Sequence, residues 1–358
     1  MRVAELRARE DYDATLVRAL KAGLAAYVGQ PVNVSLGGPG QEWYLHRLFS
    51  AYVTASPGPE ARRFLRDGFR VTHNLPRAPA QWAAGTLAAT SLGSRIAATH
   101  AFSVDPGLPH AEALVILPGN RRFRLFDFAH QRSRVLAKVP GALSAELRCR
   151  AGVGPWLPVL SADPAGEWFE EPLCPGVPLS RAPLWAPRAA LAEEALAILD
   201  RYTAASATER PTPEVIDDLL SRCGPGTPRP RGLAGRTLVG PSHGDAQAGN
   251  VLVASGSPPV WIDWEFAALR VVGFDRALHA LRFRFPDGLA QRIRAAMAGQ
   301  APSQAALSKD RTARRSALAL FLLEELATVR DARRSLGLQG PAPSEAELLS
   351  ALHVVVDP

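Results

Sequence analysis

Ser242-His243-Gly244-Asp245-Ala246-Gln247-Ala248-Gly249-Asn250-Val251-Leu252-Val253, followed by Val260-Trp261-Ile262-Asp263-Trp264-Glu265, is the stretch that decides how this chain reads. Two short β-type runs, Val251–Val253 and Val260–Ile262, flank a turn at Ser255–Pro259 and predict a hairpin. Asp245 then lies in the loop ahead of the hairpin, Asn250 at the loop's exit into the first strand, and Asp263 at the end of the returning strand. Strand pairing brings Asn250 and Asp263 near each other. A carboxylate, an amide oxygen and a second carboxylate placed in this way suit phosphoryl transfer. One carboxylate accepts a hydroxyl proton while the other two groups hold magnesium, which demands oxygen ligands in near-octahedral order.

The pattern H-G-D-x-x-x-x-N with a following I-D-W-E resembles the aminoglycoside phosphotransferase and choline kinase family, which has the protein-kinase-like fold. By that resemblance Asp245 is the catalytic base, Asn250 and Asp263 bind Mg2+, and His243 braces the loop. Gly273-Phe274-Asp275 resembles the later position where an aspartate ties the loop to a helix. The resemblance covers about residues 100 to 330. It implies an α+β, two-lobed fold: a small β-rich lobe that binds ATP and a larger helical lobe that carries the catalytic loop.

Upstream, the resemblance assigns the nucleotide side. Val135-Leu136-Ala137-Lys138-Val139 resembles the strand of the phosphate-binding lysine, with Glu146 on the next helix as the partner of Lys138. The turn Leu117-Pro118-Gly119-Asn120-Arg121 takes the place of the nucleotide-covering loop. It has a single glycine, so phosphate contacts are expected from the N–H groups of Gly119 and Asn120. Glu170-Glu171-Pro172-Leu173 resembles the linker between lobes, where backbone near Glu171 and Leu173 meets the adenine edge.

Outside this core the pattern is read from periodicity and turn residues. Residues 1–95 read as a mainly helical accessory segment. It has an apolar stripe at Tyr12, Leu16, Leu20, Leu24 and Tyr27, an extended run at Val32–Leu36, and a second helix from Glu42 to about Val53. Residues 96–175 read as strands with one short helix, Leu143 to Ala151, and Gly119-Asn120 marks a hairpin. Residues 176–358 read as the helical lobe, with an apolar stripe at Leu191, Ala195, Ile198, Leu199 and Tyr202. Further helices are expected from about 273, 303 and 314.

The 358 residues are 47% hydrophobic and 21% charged, as in a folded globular protein. The net charge of +7 suits an anionic ligand such as a nucleotide. No zinc-finger spacing or RNP-type motif accompanies the arginines, so no nucleic-acid partner is expected. The longest apolar run, Ala317 to Leu323, is too short to span a bilayer, and three cysteines without metal-ligand spacing fit reduced thiols in the cytoplasm. The expected reaction moves the γ-phosphate of ATP to a hydroxyl on a sugar, amino alcohol or glycoconjugate. Two alternatives stand beside it: a protein kinase whose partner docks on the N-terminal segment, and a non-catalytic nucleotide-binding scaffold.

Overall fold

The computed structural model describes residues 3–7, 11–69, 78–88, 90, 98–151, 154, 156–174, 176–182, 186–233, 235–282, 288–300, 310–335 and 343–356. The chain divides into two compact units, residues 1–150 with 157–175, and residues 151–156 with 176–358.

The first unit is built on a sheet with strand order β1-β4-β2-β3-β5-β6-β7-β9-β8. Its strands are β1 (Asn33–Ser35), β2 (Gln41–His46), β3 (Ala51–Thr54), β4 (Ala98–Asp105), β5 (Leu114–Pro118), β6 (Arg122–Asp127), β7 (Arg132–Ala137), β8 (Ser161–Ala162) and β9 (Trp168–Pro172). Side chains alternate between the two faces. One face buries Trp43, Tyr52, Phe102, Leu114, Ile116, Phe123, Leu125 and Leu136 under helices α1 (Val3–Arg7) and α2 (Tyr12–Val28). The other face is covered in part by α3 (Pro59–Phe69), whose Ala61 and Leu65 meet Val53 and Val115. Further along that face, Leu143 and Leu147 of the segment around α5 (Ser144–Cys149) meet Val135 and Phe169. Helix α4 (Ala78–Ala88) is held through its last carbonyl, that of Ala88, to buried His46 at 3.2 Å.

Two sequence expectations are corrected here. The segment from Glu42 to Val53 is not a helix but the hairpin β2–β3, with Trp43 opposite Thr54 and His46 opposite Ala51. Each strand finds a further partner far along the chain, β2 in β4 and β3 in β5, and these ladders satisfy backbone groups that a helix would satisfy locally. For the same reason no unit boundary falls near residue 95, because the early strands and the later ones share one sheet. The helix expected from about 303 begins outside the described residues.

The second unit is mainly helical. A core is formed by α7 (Thr212–Cys223), α8 (Phe274–Ala280), α9 (Leu289–Met297), α10 (Arg311–Ser335) and α11 (Pro343–Val356) around Phe274, Phe321 and Leu326. A long helix, α6 (Arg188–Ala205), accompanies two small sheets. One pairs β10 (Val177–Pro178), β13 (Val251–Val253) and β14 (Val260–Trp261). The other pairs β11 (Thr208–Pro211), β12 (Arg236–Ser242) and β15 (Ala268–Val271). The predicted hairpin is present in register, with Val251 opposite Trp261 and Leu252 opposite Val260.

Glu324 of α10 is buried and accepts the N–H of Val271 at 2.8 Å. Burial pushes its carboxyl up to about 7, a shift that the Arg270 guanidinium at 3.6 Å opposes without cancelling. The folded state therefore holds this proton more tightly than the unfolded chain. Its contribution is most favourable below the ordinary carboxyl value and declines as pH rises from there through about 7. A thermal-melting series from pH 4.5 to 8 should show the wild-type midpoint falling relative to that of Glu324→Gln across this window. Parallel curves would refute the assignment.

A second expectation concerns how α2 seats on the sheet. A Cβ at Gly23 would stand 2.2 Å from Leu136 Cδ2, so only glycine allows this approach. Gly23→Ala should lower stability in denaturant titration by about 1–3 kcal/mol through overpacking, although alanine is the better helix former by about 1 kcal/mol. Adding Leu136→Val should recover part of the loss.

Candidate active site

The site in the helical unit is organised by backbone before it is organised by side chains. β12 delivers the chain to Ser242 and β15 leads to α8, so both ends of the segment from His243 to Asp263 rest on one ladder, with Ser242 opposite Ala268. The carboxylate of Asp275, in the first turn of α8, accepts the N–H of His243 at 2.8 Å and of Gly244 at 2.9 Å. These amides have no ladder partner in the sharp turn, and a buried charged acceptor satisfies both. The turn needs glycine: Gly244 has φ 77°, and a Cβ there would lie 2.2 Å from the Phe266 carbonyl oxygen.

His243 is fully buried and its tautomer follows from its bonds. Nδ1 accepts the N–H of Asp245 at 3.2 Å, so the proton is on Nε2, which donates to the Ile262 carbonyl at 2.8 Å. Trp261 and Trp264 flank the ring, at centroid distances of 5.1 and 4.7 Å. The imidazole joins the loop to the returning strand. This is the bracing role that the resemblance implies.

Around Asp245 two side-chain amides converge. Gln247 Nε2 and Asn250 Nδ2 each donate to Asp245 Oδ2 at 2.9 Å, and Asn250 Nδ2 also reaches the Asp245 carbonyl at 3.0 Å. Two side-chain amide donors thus fix the orientation of the carboxylate. Because Asn250 spends its NH2 group on Asp245, its side-chain oxygen Oδ1 keeps its lone pairs and, among the described residues, accepts no hydrogen bond. The backbone then carries the geometry to Asp263. Ile262 donates its N–H to the Asn250 carbonyl at 2.9 Å, while its own carbonyl takes the His243 proton. Asp263 follows with φ 67°, a left-handed conformation that few residues other than glycine and asparagine or aspartate adopt. Such strain persists only where surrounding bonds enforce it, and it concentrates at functional sites. Asp245 and Asn250 are buried and Asp263 is half-buried.

The donor set offers two carboxylates and one amide carbonyl, all hard oxygens, which is the chemistry magnesium selects. Among the described residues no group of three or more His, Cys, Asp and Glu side chains forms a metal cluster, so a softer or all-anionic site is not present there. Gln247 and His279 enter the site without having been singled out from the sequence. His279 lies one turn beyond Asp275 and bonds to the Ala246 backbone; burial lowers its pKa. Only the position of Gln247 two residues after Asp245 hinted at its role, and nothing in the sequence pointed to His279.

The sheet-rich unit places its expected residues differently. The hairpin closes tightly at residues 119–122, and Gly119 donates its N–H to the Arg122 carbonyl at 2.8 Å. The Leu173 N–H goes to the Gln131 carbonyl at 2.9 Å. Both groups expected to face a nucleotide are therefore spent within the unit. Asn120 is at the exposed tip of the same turn. Glu146 binds Arg122 at 2.6 Å and Arg150 at 3.0 Å. Glu171 takes Arg150 at 2.8 Å and Arg124 at 3.1 Å. Its pKa is lowered; burial, the largest influence, acts the other way and is outweighed by the arginines Arg124, Arg150 and Arg122. Lys138 is buried, with its ammonium 5.2 Å from the ring centroids of both Tyr12 and Phe123.

No protein-family model matches the chain, and no curated protein matches it in sequence. Among solved structures, the chain is similar to a choline/ethanolamine kinase family protein from Mesorhizobium loti, at 18% identity and a TM-score of 0.38, over 76% of this chain and 98% of that one. It is also similar to choline kinase LicA from Streptococcus pneumoniae, at 11% identity and a TM-score of 0.41, over 67% and 93% of the two chains. A thermostable mutant of aminoglycoside phosphotransferase APH(4)-Ia, in ternary complex with ADP and hygromycin B, is 13% identical with a TM-score of 0.41, over 68% and 92%. At such distances, what this site does has to be read from its own side chains.

Proposed function

We propose that the chain is an ATP-dependent phosphotransferase that moves the γ-phosphate to a hydroxyl of a small molecule, with Asp245 as base. The observation that carries this reading is the joined triad: Asn250 bonded through its amide to the Asp245 carboxylate and through its backbone to the peptide preceding Asp263. A polar turn without chemistry has no need to tie the Asn250 amide to a buried carboxylate in this way, or to keep Asp263 in a left-handed conformation.

In this reading the acceptor hydroxyl oxygen attacks the γ-phosphorus. The bond from that phosphorus to the β–γ bridging oxygen breaks, ADP leaves, and the hydroxyl proton passes to the Asp245 carboxylate. Gln247 and Asn250 keep that carboxylate aimed. Asn250, through its carbonyl oxygen, and Asp263, through its carboxylate, are the residues that would hold magnesium, and the ion when bound neutralises phosphate charge. Asp275 acts earlier, by keeping the loop in the one conformation in which these groups meet. The acceptor is proposed to be a sugar, amino alcohol or glycoconjugate.

A panel of hydroxyl compounds read by ADP release tests the reaction directly; no release with any acceptor would sink it. With an active acceptor in hand, Asp245→Asn should lower kcat by about 10²–10⁴-fold, the span of general-base catalysis, while nucleotide affinity stays near wild type. An unchanged kcat would remove Asp245 as the base. Asp263→Asn should raise the magnesium concentration needed for half-maximal rate by about tenfold or more, since it removes a charged oxygen ligand. An unaltered magnesium titration would count against that ligand.

A further inference from the structure

In the helical unit, the pairing of β10 brings a short polar turn against the loop that carries Asn250. β10 runs antiparallel to β13, with Val177 opposite Val253 and Pro178 opposite Leu252, so the chain leaving β10 turns back toward the loop that feeds β13. There it forms a single 3-10 turn, Leu179–Arg181, which packs against the 3-10 turn Ala248–Asn250. Leu179 is buried and anchors the turn, Ser180 is half-buried, and Arg181 is exposed. The surface over Gly249 is open: a Cβ there would have only Ser180 Oγ within 4 Å, at 3.9 Å.

Among the described residues the Ser180 side chain makes no hydrogen bond, and that of Arg181 makes no hydrogen bond, ion pair or ring contact. Arg276, on α8, is by contrast held by Glu193 at 2.8 Å and by Asp200. Burial by the surrounding chain lowers the pKa of Arg181, and no carboxylate acts in the other direction. A guanidinium partly withdrawn from water without a counter-charge carries a desolvation cost that a bound anion would offset. Hydroxyl and guanidinium are both hydrogen-bond donors, and a guanidinium fork matches the oxygens of a phosphate. Ser180 faces Gly249, the residue before Asn250, so an anion taken by this turn lies along the loop that the proposed reaction uses.

We propose that Ser180 and Arg181 form a phosphate subsite beside the loop of Asp245 and Asn250, filled by the phosphate chain of the nucleotide or by a phosphate carried on the acceptor. The proposal deepens the phosphotransferase reading and rests on it for these two sources.

Calorimetry on the full chain with inorganic phosphate, magnesium AMP-PNP and adenosine tests the subsite. Arg181→Gln should weaken phosphate binding by about tenfold or more, as loss of a charge-assisted hydrogen bond does, and Ser180→Ala by about two- to tenfold. Adenosine should stay within about twofold in both, and the melting temperature of Arg181→Gln should match wild type, since no internal bond is lost. Arg201→Gln removes the same charge from an exposed position on α6 and should leave all three affinities within about twofold. A drop in AMP-PNP relative to adenosine assigns the subsite to the nucleotide; a drop confined to inorganic phosphate assigns it to a phosphorylated acceptor. The proposal is overturned if Arg181→Gln weakens neither inorganic phosphate nor AMP-PNP relative to adenosine, whether because the wild type ignores the phosphate group or because the variant holds it as well. An equal loss in Arg201→Gln overturns it too. Weakened phosphate binding in Arg181→Gln without ADP release on any acceptor would keep the subsite and remove the transferase reading instead.

Discussion

The carboxylate of Asp275 accepts two consecutive backbone N–H groups, and the geometry of the segment from His243 to Asp263 depends on that contact. A turn as sharp as the one at Gly244 strips its amides of ladder partners, and buried amides without acceptors are costly. Asp275 comes from the first turn of a helix anchored in the large hydrophobic core, so the stability of that core is transmitted to the loop. His243 performs the complementary task from inside, linking the loop to the strand that ends at Asp263.

The two units solve their electrostatic problems in opposite ways. Around Asp245 two side-chain amides donate to the carboxylate and orient it. In the sheet-rich unit Glu146 and Glu171 are met by guanidiniums, which commit them to ion pairs.

Legibility from sequence was uneven. The segment from His243 to Asp263 was readable because its spacing is local: two short strands and a turn bring Asn250 and Asp263 together within about twenty residues, and the register is as expected. The hairpin at Gly119 was readable for the same reason. The stretch Glu42 to Val53 was misread because, beyond the β2–β3 pairing, the strands that complete its ladders are centred about sixty residues further on, which no local periodicity reports. Glu146 was placed on the right helix, but its two arginines arrive from β6 and from the far end of its own helix, so its engagement followed from packing.

Sequence alone determined which residues could do chemistry and their order along the catalytic hairpin, because residue type and short spacing survive without knowledge of distant contacts. It also determined the mixed α+β character of the chain. Tertiary structure decided which face of the sheet each charged side chain occupies, which amide hydrogens are already spent and which carboxylates are held by arginine. Those outcomes depend on strand register across long separations, and a shift of one residue in register turns every side chain of a strand to the other face.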